Sequence, residues 1–171
     1  MSQVIANKST ENQSTEAWLL ECGAVKVLIS ATNMLHVIED SRLRHHVPMA
    51  PAHCNSVLVW QRHVMPVVNL AKWLDNSDRQ NYPYSCVVGW QDVDHGTEYG
   101  ALVASAFPQR VMVHDVQCVT PPSDIADAWR DHALCFVDHN KMYVPIIDPA
   151  RFFDAAQFER RPDIGSIGMI A

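Results

Sequence analysis

Glycine is scarce in this sequence, with six in 171 residues. No Gly-rich loop is present to cradle a nucleotide's phosphates with backbone N–H groups. A Gly-x-Ser-x-Gly nucleophile turn is also missing, and Gly165-Ser166-Ile167-Gly168 lies near the C-terminal end without a strand before it. Hydrolysis needs a nucleophile, a base and an orienting group in register, and the sequence offers no such set. The chain reads as non-enzymatic. Lys and Arg number 13 against 19 Asp and Glu, a net charge of −6, and no basic stripe forms. That field repels phosphate backbones and anionic membranes, which argues against nucleic acid as partner. No apolar run approaches the roughly 20 residues a membrane helix needs, so membrane insertion is not expected.

Cysteine pairs of the Cys-x-x-Cys kind are absent too. Cys22, Cys54, Cys86, Cys118 and Cys135 are an odd number and widely spaced. They read as reduced thiols used as small apolar side chains, which suits a reducing cytoplasm. Residues 1–16, rich in Ser, Thr, Asn and Gln, lack the basic-then-apolar order of a signal peptide and read as a disordered N-terminal tail. Residues 159–171 read as a C-terminal tail.

What the sequence does have is a globular share of apolar residues, 48%, enough for a real core. From Ala17 on, short apolar runs are broken at intervals of about 8 to 12 residues, the all-β pattern. Expected strands are Ala17–Cys22, Val25–Ala31, Leu35–Glu39, Ser56–Gln61 and Val64–Asn69. A second set is Tyr84–Gln91, Gly100–Ser105, Gln109–Val113, Ala133–Asp138 and Lys141–Ile147. Asp92-Val93-Asp94-His95-Gly96 reads as a hairpin loop, Gly96 supplying positive φ. Short helices are expected at Ala71–Leu74, Ser123–Arg130 (Ser123 as N-cap) and Pro149–Phe158. The polar stretch Asp75–Pro83 reads as a linker between halves.

An internal echo organises these elements. Pro66-Val67-Val68-Asn69-Leu70-Ala71-Lys72-Trp73-Leu74-Asp75 aligns with Pro145-Ile146-Ile147-Asp148-Pro149-Ala150-Arg151-Phe152-Phe153-Asp154. A fainter echo pairs Leu28-Ile29-Ser30 with Leu102-Val103-Ala104. Such repeats indicate one supersecondary unit built twice. The expected fold is therefore all-β: two small five-stranded, SH3-like β-barrels related by the repeat, with short helices. Closing a barrel removes exposed strand edges. The half-barrel units span about 17–75 and 84–154 and are intertwined.

The order of motifs resembles the CheW-like family. The resemblance is carried by Val47-Pro48-Met49-Ala50-Pro51 and the strand Ser56-Val57-Leu58-Val59-Trp60. It continues through Val64-Met65-Pro66-Val67-Val68-Asn69-Leu70, Asp115–Pro121 and Val144-Pro145-Ile146-Ile147-Asp148. It implies a CheW-like domain over 17–158, two barrels with an apolar seam, and no bound cofactor. It also implies an adaptor between a chemoreceptor's cytoplasmic tip and the regulatory domain of a sensor histidine kinase, in chemotaxis or pilus-driven twitching motility. Aligned on Pro66, the family's Gly falls on Ser56, its Asn on Val59, and its turn Arg-Gly on Gln61-Arg62. A turn slipped by one residue makes Arg62 that Arg and puts His63 at the Gly. Asn69 replaces the usual Asp.

The expected protein-binding residues are Arg62, Gln61, Trp60, Val37 and Ile38. Arg62 joins a rigid donor fork to an apolar stem, as interface anchors do; the alternative is a solvated turn residue. Trp60 is either an interface anchor or a side chain filling the barrel. By resemblance Val37 and Ile38 border the seam, where an apolar groove would hold a partner helix or barrel edge; the alternative is core packing. His45, His46, His53 and Cys54 invite a zinc reading, but their spacing suits no compact zinc loop, and no metal is expected. Two further readings stand beside the adaptor. One is a divergent CheW-like scaffold that binds another partner or itself, and the other is a small metal-dependent enzyme using the histidines.

Overall fold

A computed structural model describes residues 13–74 and 80–154. The strands of the first half of the chain are β1 (Ser14–Cys22), β2 (Val25–Ser30), β3 (Met34–Ile38), β4 (Arg44–His46), β5 (Ser56–Trp60) and β6 (His63–Val68), followed by helix α1 (Leu70–Leu74). The second half repeats the order: β7 (Tyr84–Asp92), β8 (Gly96–Ala104), β9 (Gln109–His114), β10 (Cys118–Val119), α2 (Ser123–Trp129), β11 (Ala133–His139), β12 (Met142–Ile147) and α3 (Pro149–Phe152). All ten expected strands form. Two short ones, β4 and β10, go beyond expectation, so each half has six strands where five were expected. Each follows a single 3-10 turn, at Ser41–Leu43 and Asp115–Gln117. Strands of two or three residues are too short to carry an alternation signal. The first strand starts at Ser14, inside the stretch read as tail. The outer parts of both expected tails, 75–79 of the linker and 155–158 of the last expected helix lie outside the described residues.

Reading outward, one sheet runs β10-β11-β12-β2-β1-β9 and the other β4-β5-β6-β8-β7-β3. The two orders correspond position by position, with the opening hairpins exchanged. The β1–β2 hairpin of the first repeat completes the sheet of β9–β12, and β7–β8 of the second completes the sheet of β3–β6. Two parallel pairings seal the exchange: Ile146 with Leu28, and Val67 and Val68 with Ala101 and Leu102. Val67 and Ile146 are repeat equivalents, so Leu28 corresponds to Ala101. The fainter echo, which set Leu28 against Leu102, is off by one residue. In a strand that shift exchanges the two faces.

The exchange explains why these four strands read as unbroken apolar runs. Both of their faces are buried. Leu19 and Leu28 point into the first sheet's interior with Val137 and Val144. Val87, Ala101 and Val103 point into the second with Leu58, Met65 and Val67. The alternate residues Leu20, Cys22, Val27 and Ile29 meet Cys86, Val88, Leu102 and Ala104 in a third core between the sheets. Hydrogen bonds stitch the hairpins together there: Cys22 Sγ donates to the Val103 carbonyl at 2.9 Å, and the Ser105 N–H to the Glu21 carbonyl at 2.8 Å.

The same central core holds an aromatic knot. Trp73 of α1 meets Trp129 of α2, His132 and Phe152 of α3 edge-on, at centroid distances of 5.4, 4.8 and 5.5 Å. The start of α3 follows from Asp148, whose Oδ1 accepts from the Ala150 N–H at 3.0 Å, with Pro149 in the first turn. Asn69 does the same for α1, accepting from the Lys72 N–H at 3.1 Å, so the Asp-to-Asn departure keeps the helix start. Ser123 does not cap α2. Pro122 holds that position, and its all-carbon ring has no acceptor to offer a side-chain cap bond.

Candidate functional site

The β5–β6 hairpin closes on the pair Trp60 and His63, leaving Gln61 and Arg62 as a two-residue loop. Both have positive φ, 47° and 72°, as the mirror-image turn that matches strand twist requires. The slipped alternative is thereby corrected: His63 is the first residue of β6, and the turn corners are Gln61 and Arg62. The equivalent β11–β12 turn uses Asn140 and Lys141, at φ 54° and 64°. Arg62 thus occupies a left-handed backbone that costs a residue with a Cβ about 1–2 kcal/mol. Arg62→Gly is expected to raise stability by about 1 kcal/mol, a rise in Tm of about 2–4 °C in a scan of the full chain. A lowered Tm would show that the Arg62 side chain compensates its backbone.

Gln61 and Arg62 are exposed, and the hairpin behind them is apolar on its outer face: cross-strand partners Val59 and Val64 are 52% and 69% exposed. Trp60 points the other way. Half-buried, it packs on the second sheet's interior, stacks on His36 (6.0 Å) and meets Tyr99 edge-on (6.1 Å), while His63 lies 4.4 Å from the same Tyr99 ring. Trp60 fills the barrel mouth and shows only part of itself to solvent.

Val37 and Ile38 face opposite sides of β3. Ile38 packs beside Trp60 on the second sheet's interior. Val37 lines a groove of about 400 Å³ with Trp18, Met34, Phe107 and Arg110. This groove lies between the free edges of the two sheets, β9 and β3. The Arg110 guanidinium sits 5.1 Å over the Trp18 ring and 3.7 Å from Glu16. Sequence reasoning missed Trp18, Phe107 and Arg110. They become neighbours only through the β1–β9 pairing, which sets Trp18 opposite Arg110. The structure therefore divides the five expected residues. Gln61, Arg62 and Trp60 share the hairpin end with Ile38 beneath, and Val37 belongs to the seam groove.

The histidines separate in the same way. His45 and His46 are successive residues of β4, while His53 is buried in a 3-10 turn. Among the described residues, no three His, Cys, Asp or Glu gather at metal-binding distance. His53 and His132 are instead a buried pair related by the repeat, 79 residues apart like Pro66 and Pro145. Each offers its carbonyl to the residue that opens the following helix, His53 to the Asn69 N–H at 2.8 Å and His132 to the Asp148 N–H at 3.2 Å. Extending the echo backwards at constant spacing was the signal that could have found them. Burial holds the His132 imidazole below its ordinary pKa, opposed in part by Asp131. The Asp92–His95 tip is a self-contained turn. The Asp92 carboxylate accepts from the His95 and Asp94 N–H groups at 2.8 and 2.9 Å, and these bonds lower its pKa.

The arrangement offers a groove of mixed lining, where Trp18, Val37 and Phe107 meet His36 and Arg110, and an apolar hairpin face that ends in the polar turn Gln61-Arg62, which suits protein docking. Comparison with solved structures finds the same fold in the scaffolding protein TtCheW from Thermoanaerobacter tengcongensis. The two share 12% identity with a TM-score of 0.63, over 80% of this chain and 90% of that one. Among curated proteins nothing matches. Residues 16–157 match the CheW-like domain. With paired six-stranded half-barrels, an exchanged hairpin in each and that match over most of its length, the chain belongs to the CheW-like domain family.

Proposed function

We propose that this protein is a non-catalytic adaptor that couples a chemoreceptor's cytoplasmic tip to the regulatory domain of a sensor histidine kinase. It would serve chemotaxis or pilus-driven motility from the cytoplasm. Family membership supports the class of role. The observation that carries the reading is a pair of outward surfaces: the apolar Val59–Val64 hairpin face ending in Arg62, and the groove between sheet edges where Val37, Trp18 and Phe107 lie beside Arg110. Apolar centres with polar rims give reversible affinity when the buried area is modest.

Gel filtration and calorimetry with the kinase regulatory domain and a receptor-tip helix test this. A complex of about micromolar Kd is expected, weakened about tenfold or more by Arg62→Ala if that residue anchors the contact. Absence of any complex at tens of micromolar would overturn it. One observation favours a second reading, a divergent scaffold with another partner or a self-associating one. Gln61 stands at the turn position where the family has Arg, and the Arg62 that follows occupies the Gly position. Kinase binding indifferent to Arg62→Ala would favour that version.

A further inference from the structure

Two of the five thiols are packed away, and a third stands alone. Cys22 is bonded to a carbonyl in the central core, burial pushes Cys86 up to about 12, and partial burial also raises the half-buried Cys54. The other two differ. Cys118 is exposed on β10, and Cys135 is half-buried on the neighbouring β11. Cys118 lies opposite Val137 in the antiparallel register. Cys135, two residues before Val137, therefore shares its face as a diagonal neighbour. Partial burial and the neighbouring Cys118 both push the Cys135 thiol above its ordinary pKa. In the first repeat the same corner is built from Arg44, opposite Leu58, and Ser56. The fold does not need sulfur there.

We propose that Cys118 and Cys135 form a redox-active dithiol that a hydroperoxide oxidises to a disulfide, clipping the edge strand β10 to β11. The exposed Cys118 thiolate attacks one peroxide oxygen. The O–O bond breaks, the leaving oxygen takes up the proton that the thiol had released and departs as water (as an alcohol from an alkyl hydroperoxide), and Cys118 becomes a sulfenic acid. The Cys135 sulfur then attacks the Cys118 sulfur. The S–S bond forms as the S–O bond breaks, and the hydroxyl departs as water with the proton of Cys135. Two thiols lose two electrons and the hydroperoxide gains them. Cys135 suits the resolving role, since burial and the neighbouring Cys118 keep its thiol protonated until the second step.

Diagonal strand neighbours stand slightly farther apart than a relaxed disulfide spans, so about an ångström of backbone movement is required. β10 can supply it, being an outer strand of two residues. The resulting bond is exposed and readily reduced, as regulatory disulfides are.

The test treats the reduced full chain with a small excess of hydrogen peroxide, blocks remaining thiols, and maps peptides without reduction. One cross-linked pair containing Cys118 and Cys135 is expected, with the intact mass lower by two hydrogens and restored by dithiothreitol. Cys135→Ser is expected to leave Cys118 as a sulfenic acid trapped by dimedone, and Cys118→Ser to leave Cys135 unmodified. Over-oxidation of Cys118 without a cross-link, or linkage through a different cysteine, overturns the proposal. The map of the unmutated chain decides this even if a serine variant folds poorly.

Discussion

Trp73→Ala is expected to destabilise the protein by about 3–5 kcal/mol, the range for deleting a buried large aromatic. Trp73 is 5% exposed and lies at the centre of the knot, in edge contact with Trp129, His132 and Phe152. It comes from the first repeat, and its three partners come from the second. The truncation therefore opens a cavity at the joint between the halves and removes favourable aromatic geometry as well. At about 2–4 °C per kcal/mol for a chain of this size, Tm should fall by about 6–20 °C. Chemical denaturation of Trp73→Ala beside Trp60→Ala is the measurement. Trp60 is half-buried at a barrel mouth, so its loss should be clearly smaller. Equal losses would mean that the knot is not the joint.

A single added methyl group at Gly100 is expected to give the next largest loss. A Cβ built there lies 2.4 to 2.7 Å from three ring atoms of Phe153, well inside van der Waals contact. Phe153 cannot swing aside freely, because it stacks on Trp90 at 5.1 Å with the rings 12° apart. Gly100 itself is held opposite Val88 in the β7–β8 ladder. Gly100→Ala must displace a packed ring or bend a central strand, at about 1–3 kcal/mol. The double variant with Phe153→Leu should recover part of that loss, since the two residues contest the same space. Additive losses by denaturant titration would show that the strain arises elsewhere.

These two sites show unequal legibility. Trp73 lies within the clearest sequence feature, the Pro66–Asp75 echo, so its place in a short helix after a strand was readable. That it would meet Trp129 and His132 was not, since those residues lie more than 50 positions away and show no periodicity that points to Trp73. Gly100 was expected to open a strand, Gly100–Ser105, yet it stands inside β8, where Phe153, just past the end of α3, needs the room. The candidate site divides similarly. The hairpin end at Trp60–Arg62 was local and could be proposed from its motif. The groove needed β1 to pair with β9 before Trp18 and Arg110 became neighbours.

By itself the sequence determined ten of the twelve described strands, the all-β class and the duplication. Each rests on alternation or repetition over fewer than about ten residues, where side-chain chemistry and backbone geometry act locally. Only the tertiary structure decided which hairpin completes which half-barrel, and hence the third core, and it also set Cys118 diagonal to Cys135 across β10 and β11. The reason is physical. Two similar hairpins satisfy the local rules in either half, and the choice is made by burying both of their faces at once, through contacts between residues 34 or more positions apart.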